Sequence, residues 1–122
     1  MAKSNTPQID IDRLWATIMA SAEIGKGPKG GLRRLTLTDD DRKMRDLFAA
    51  WAQQGGYTLT VDRLGNMFVR REGREPDLAP VLIGSHLDTQ AAGGRFDGIL
   101  GVLGGLEVLR TLDQAGISTR RP

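Results

Sequence analysis

At 122 residues, 39% hydrophobic and 26% charged, the chain has an ordinary globular composition and fits one domain or a piece of a larger one. It contains no cysteine, which removes disulfides and thiolate ligands and agrees with a reducing cytoplasm. The net charge is only +2, basic and acidic residues interleave, aromatics are few, and no apolar run reaches the length of a signal core or membrane span, so the chain reads as cytoplasmic with neither nucleic acid nor membrane as partner.

Residues 1–8 are polar and read as a flexible tail, leaving 9–122 as the folded part. Across residues 9–24, Ile11, Leu14, Trp15, Ile18 and Ala22 recur at helical spacing, and Gly25 follows as a left-handed cap. The glycine-lysine stretch 25–31 lacks a Gly-Lys-Ser/Thr ending and follows no strand, so it reads as a connection rather than a phosphate loop. Thr38 opens a second helix, predicted to run to Gln54, with Asp39, Asp40 and Asp41 in the first turn where negative charge suits the dipole. Met44, Leu47, Phe48 and Trp51 form its buried face, and Gly55-Gly56 ends it.

Tyr57, Leu59 and Val61 alternate with threonines as a half-buried strand, residues 62–65 turn, and 66–70 return as its partner. Residues 71–79 are charged and expected at the surface. Val81-Leu82-Ile83, after Pro80, reads as a buried strand covered on both faces.

That run leads into Gly84-Ser85-His86-Leu87-Asp88-Thr89, and then Gly93-Gly94-Arg95-Phe96-Asp97-Gly98. His86 is the only histidine, and in extended backbone it projects to the same side as Asp88. An imidazole and carboxylates at a strand end suit a divalent cation such as zinc. His86 would ligate through one ring nitrogen, Asp88 would take the other N–H and fix the tautomer, and Asp97 could bridge two metals. A lone His beside Asp is more often a plain hydrogen-bonded pair than a ligand; the glycine loop and the second aspartate bring the two readings level.

After this site, Ile99, Val102, Leu103, Leu106 and Leu109 predict a helix over 98–112, with Glu107 on the face away from the apolar stripe. Gly101, Gly104 and Gly105 cost about 1 kcal/mol each relative to alanine, a cost expected to be offset by close packing on the sheet. The Gly98-x-x-Gly101-x-x-Gly104 spacing is not a dinucleotide fingerprint, because the turn after the strand holds His86 and Asp88. Alternating helices and strands predict an α/β fold with a mixed sheet and a site beyond the carboxyl end of a strand.

The segment GSHLDTQAAGGRFDGILGVLGGLEVLRTL, with Asp62-Arg63-Leu64-Gly65-Asn66 and Arg34-Leu35-Thr36-Leu37-Thr38 upstream, resembles the metal-dependent amidohydrolases that include N-carbamoyl-L-amino-acid hydrolase, β-ureidopropionase and allantoate amidohydrolase. The resemblance implies the N-terminal portion of a three-layer, zinc-exopeptidase-like catalytic domain, truncated before the remaining catalytic residues and an inserted lid and dimerisation domain. It implies His86 and Asp97 as metal ligands, Asp88 as the catalytic-site aspartate behind the histidine, and Gln90 as a carbamoylase-like position. Ala91 stands where the family commonly has proline.

The implied cofactors are two Zn2+ or Mn2+ ions, and the implied reaction is hydrolysis of a carbamoyl or ureido C–N bond. The implied partners are a small N-carbamoyl or ureido substrate, a second copy in complete homodimeric members, and a C-terminal half supplying the glutamate base and later histidine ligands. On this reading the chain alone is inactive. Two other readings stand: a non-catalytic binding module, or a piece of a related aminoacylase or peptidase.

Overall fold

The computed structural model describes residues 6–122. The first five residues of the expected tail lie outside that range. The elements are α1 (Ile11–Ser21), a short 3-10 turn (Pro28–Gly30), α2 (Asp39–Gln54), β1 (Thr58–Val61), β2 (Met67–Arg70) and α3 (Ile99–Gln114).

Helix α1 begins where Asp10 accepts the Arg13 amide at 2.9 Å, an N-cap that satisfies one of the orphan donors of a helix start. The helix stops at Ser21 rather than continuing towards Gly25. The physical reason is Arg34: its Nη1 donates to the carbonyls of Ser21 (3.0 Å) and Ile24 (2.7 Å), groups that another helical turn would otherwise occupy. Gly25 is still needed, at φ 77°, because a Cβ there would stand 2.8 Å from the Arg34 Cβ.

Helix α2 starts as expected, with Thr38 Oγ1 accepting the Asp41 amide. Asp41 in turn accepts the Leu37 amide at 2.9 Å, so this buried carboxylate serves the helix entry. β1 and β2 pair antiparallel, with Leu59 opposite Val69 and Val61 opposite Met67. Met67 and Val69 turn towards the core of Ile18, Met44, Phe48, Ile99, Leu103 and Leu106, where α1, α2 and α3 meet.

Two further expectations are corrected. Residues 81–83 do not form a buried strand: Val81, Leu82 and Ile83 are 68%, 73% and 59% exposed. Among the described residues, the only backbone bond in this run is the Val81 amide to the Pro122 carbonyl, 2.9 Å. The sheet of the described residues has two antiparallel strands, so the mixed pairing that would cover residues 81–83 is not formed here. One side of the segment does pack: Cβ atoms on Gly101 and Gly105 would meet Ser85 Cβ at 2.8 Å and Ile83 Cγ2 at 3.3 Å. Gly101 and Gly105 of α3 thus make room for residues 83–85.

The second correction is Glu107. It lies four residues after Leu103, and so on the same side of α3. It is 1% exposed and receives Arg13 Nε at 2.9 Å and Arg13 Nη2 at 2.5 Å. This pair ties α3 to α1.

Candidate metal centre

His86 stands at the end of the extended run that leans on α3. Its ring packs over Gly98, where a Cβ would fall 2.3 Å from the His86 Cε1. Gly98 also has φ 71°, a conformation L side chains rarely adopt, so both space and backbone call for glycine. The sequence placed this glycine at the end of the glycine-rich loop; in the structure it is the floor beneath the imidazole.

His86 Nδ1 lies 2.9 Å from the Asp88 carbonyl oxygen and 3.1 Å from Asp88 Oδ1. Both partners are acceptors only. Nδ1 therefore carries the proton, and in the neutral ring the Nε2 lone pair is free. Among the described residues no hydrogen bond engages Nε2. The His86 side chain is 49% exposed, so the ring as a whole is only half covered.

Asp88 is held from its other side. Thr36 Oγ1 donates to Asp88 Oδ2 at 2.8 Å. Thr36 lay within the quoted upstream motif, but nothing in its spacing marked it as a partner of Asp88, which is 52 residues away. Arg34 is likewise reached only by the fold. It is fully buried, and its Nε donates to the Leu87 carbonyl at 2.8 Å. Burial pushes its guanidinium below the usual arginine value, opposed in part by the charges of Asp41, Asp40 and Asp88.

Asp97 sits immediately before Gly98 and α3, on a loop fixed by the reciprocal Leu32–Gly93 backbone bonds and by Arg95 Nε on the Gly30 carbonyl. Phe96 stacks on Trp15 of α1 with ring centroids 6.0 Å apart. The Asp97 side chain is exposed. Among the described residues, no three His, Asp or Glu side chains converge as a metal-holding group. The fold therefore joins His86 to Asp88 and seats Asp97 next to the glycine under the ring, without gathering all three. A groove of about 910 Å³, lined by Thr36, His86, Asp88, Phe68 and the 80–85 run, opens beside the pair.

No family profile matches the chain. Its sequence is 50% identical over 121 residues to an N-carbamoyl-L-amino-acid amidohydrolase of Rhizobium meliloti, covering 99% of this chain and 29% of that protein. A ureidoglycolate hydrolase of Oryza sativa subsp. japonica is 34% identical over 93% of this chain and 23% of its own length. A crystal structure of a hydantoinase/carbamoylase family amidase from Burkholderia vietnamiensis superposes with a TM-score of 0.94 at 54% identity, covering 98% of this chain and 29% of that one. By sequence and fold the chain is similar to part of the N-carbamoyl-L-amino-acid amidohydrolases and hydantoinase/carbamoylase family amidases. It spans 23% to 29% of the length of these relatives.

Proposed function

We propose that this chain carries the His86 side of a metal-dependent amidohydrolase site acting on the carbamoyl or ureido C–N bond of N-carbamoyl-L-amino acids or related ureido compounds. The observation that carries the reading is the half-exposed His86 ring, whose Nδ1 faces two acceptors and whose Nε2 has no hydrogen-bond partner among the described residues. This is the arrangement of a metal-ligating histidine steadied by a carboxylate behind it.

The donor set fits one imidazole ligand for Zn2+ or Mn2+, with Asp97 as the neighbouring carboxylate, and falls short of the three or four protein ligands of ordinary zinc sites. A bound divalent ion would supply Lewis-acid polarisation of the substrate carbonyl. His86 would hold the ion, Asp88 would retain the proton on Nδ1, and the floor of Gly98 would set the ring's direction. The general base and the further ligands are, in this reading, contributed from outside residues 1–122, in keeping with the share of the relatives' length that the chain spans. The setting is cytoplasmic, compatible with a chain that holds no cysteine.

Calorimetry with zinc and with manganese tests the site. Weak binding to the native chain, abolished in His86→Ala, is expected; the same affinity in both would remove His86 from the metal. The isolated chain is expected not to turn over N-carbamoyl amino acids with either ion present, and measurable turnover would require a base within these residues.

A second reading, a non-catalytic binding module, draws on the exposed apolar run at Val81, Leu82 and Ile83. Full metal independence together with capture of a complementary segment of a related amidohydrolase would favour it.

A further inference from the structure

Asp88 is gripped by residues 34–36, a segment about fifty residues away in sequence. Residue 34 holds both neighbours of Asp88. The Arg34 Nε donates to the Leu87 carbonyl at 2.8 Å, the Thr89 amide donates to the Arg34 carbonyl at 2.8 Å, and the Arg34 amide donates to Thr89 Oγ1 at 2.8 Å. These bonds fix the backbone on either side of residue 88, and with it the carbonyl that faces His86 Nδ1. Residue 36 holds the side chain: Thr36 Oγ1 donates to Oδ2 while Nδ1 of the histidine donates to Oδ1.

The torsion that orients a carboxylate is intrinsically broad. The Asp88 side chain is 38% exposed, so without a second donor water competes for both oxygens. A donor on each oxygen leaves one orientation, the one that keeps Oδ1 on Nδ1 as a second acceptor beside the Asp88 carbonyl.

We propose that segment 34–36 is a tautomer clamp, with Thr36 as a positioning residue that holds the Asp88 carboxylate against His86 Nδ1 and so keeps Nε2 unprotonated and available. The inference rests on the reading of His86 as the metal ligand, but the clamp itself is a property of the metal-free chain. Thr36 is exposed, so its replacement leaves the core untouched, and circular dichroism verifies the fold of each variant.

His86 is the only histidine, so long-range proton–nitrogen correlations of isotope-labelled histidine report this ring alone. On the full metal-free chain, at a pH where the ring is neutral, the native protein is expected to show the Nδ1–H form. Thr36→Val is expected to show a mixture of both tautomers and zinc affinity lowered about tenfold, the low end of the effect of losing a group that orients a ligand. Thr36→Ser, which keeps the hydroxyl, is expected to restore both. A Thr36→Val chain with native tautomer and native zinc affinity overturns the clamp. A shifted tautomer in a chain that never bound zinc keeps the clamp and removes the metal reading. Zinc binding through His86 with a tautomer that Thr36→Val leaves unmoved removes the clamp and keeps the metal.

Discussion

At the scale of single residues, the imidazole is defined as much by the atoms that are missing around it as by its partners. Gly98 contributes no Cβ, and the space a Cβ would take, 2.3 to 2.5 Å from three ring atoms, is the space the ring fills. Gly98→Ala must therefore push the ring off its seat and hold a strained backbone at φ 71°. The expected outcome is a loss of at least about 1 kcal/mol in urea unfolding together with loss of zinc binding at His86. Gly104, on the same helix, has nothing within 4 Å of a Cβ, so Gly104→Ala is expected to stabilise the chain by roughly 0.5–1 kcal/mol with zinc affinity unchanged. Equal effects of the two substitutions would show that helix propensity, and not contact with the ring, governs Gly98.

At the scale of elements, the Arg13–Glu107 pair fastens α1 to α3. Burial pushes the Glu107 carboxyl up, but the Arg13 bonds and charge outweigh it and hold the group below the usual glutamate range. A depressed folded value means that the pair's stabilisation is fully present above the unfolded glutamate pKa, about 4.3, and is lost as pH falls through the lower folded value. Glu107→Gln is expected to unfold more easily than the native chain at neutral pH by about 1–3 kcal/mol. That gap should narrow as the pH drops below about 4, read from urea midpoints across the range; a gap constant with pH would mean that the pair's charge contributes nothing. The same helix shows what the sequence made legible. The periodicity of Ile99, Leu103 and Leu106 located α3, and the Met44–Phe48 spacing located α2, because apolar burial repeats with the helix. The His86–Asp88 pair was legible because two residues in extended backbone share a side. The Glu107 partner, the early end of α1 and the Thr36 contact were not, since each depends on a residue 13 to 94 positions away that no local pattern specifies.

At the scale of the whole molecule, the run Val81-Leu82-Ile83 decides how the chain behaves in solution. A continuous apolar run in the sequence signals a strand with neighbours on both sides. In this chain Ile83 rests against Gly105 of α3, while Val81 and Leu82 are 68% and 73% exposed. Beyond the Val81 amide bond to Pro122, the backbone of residues 81–83 has no partner among the described residues. Extended, apolar backbone with free donors and acceptors is a template for pairing with another chain. The adjoining groove is lined by further apolar side chains, Leu64 and Phe68 among them, which are 90% and 42% exposed. The native chain is therefore expected to self-associate as its concentration rises, seen as a concentration-dependent shift in sedimentation velocity. Leu82→Lys places a charge in the middle of the run, where it is solvated in the monomer and buried in any paired form, so it should shift the chain to monomer. Because Leu82 is mostly exposed, the substitution should leave thermal unfolding of the monomer nearly unchanged, within about 0.5 kcal/mol. A native chain that stays monomeric at every concentration, or a Leu82→Lys chain that associates as strongly as the native one, would show that the association surface lies elsewhere on the molecule.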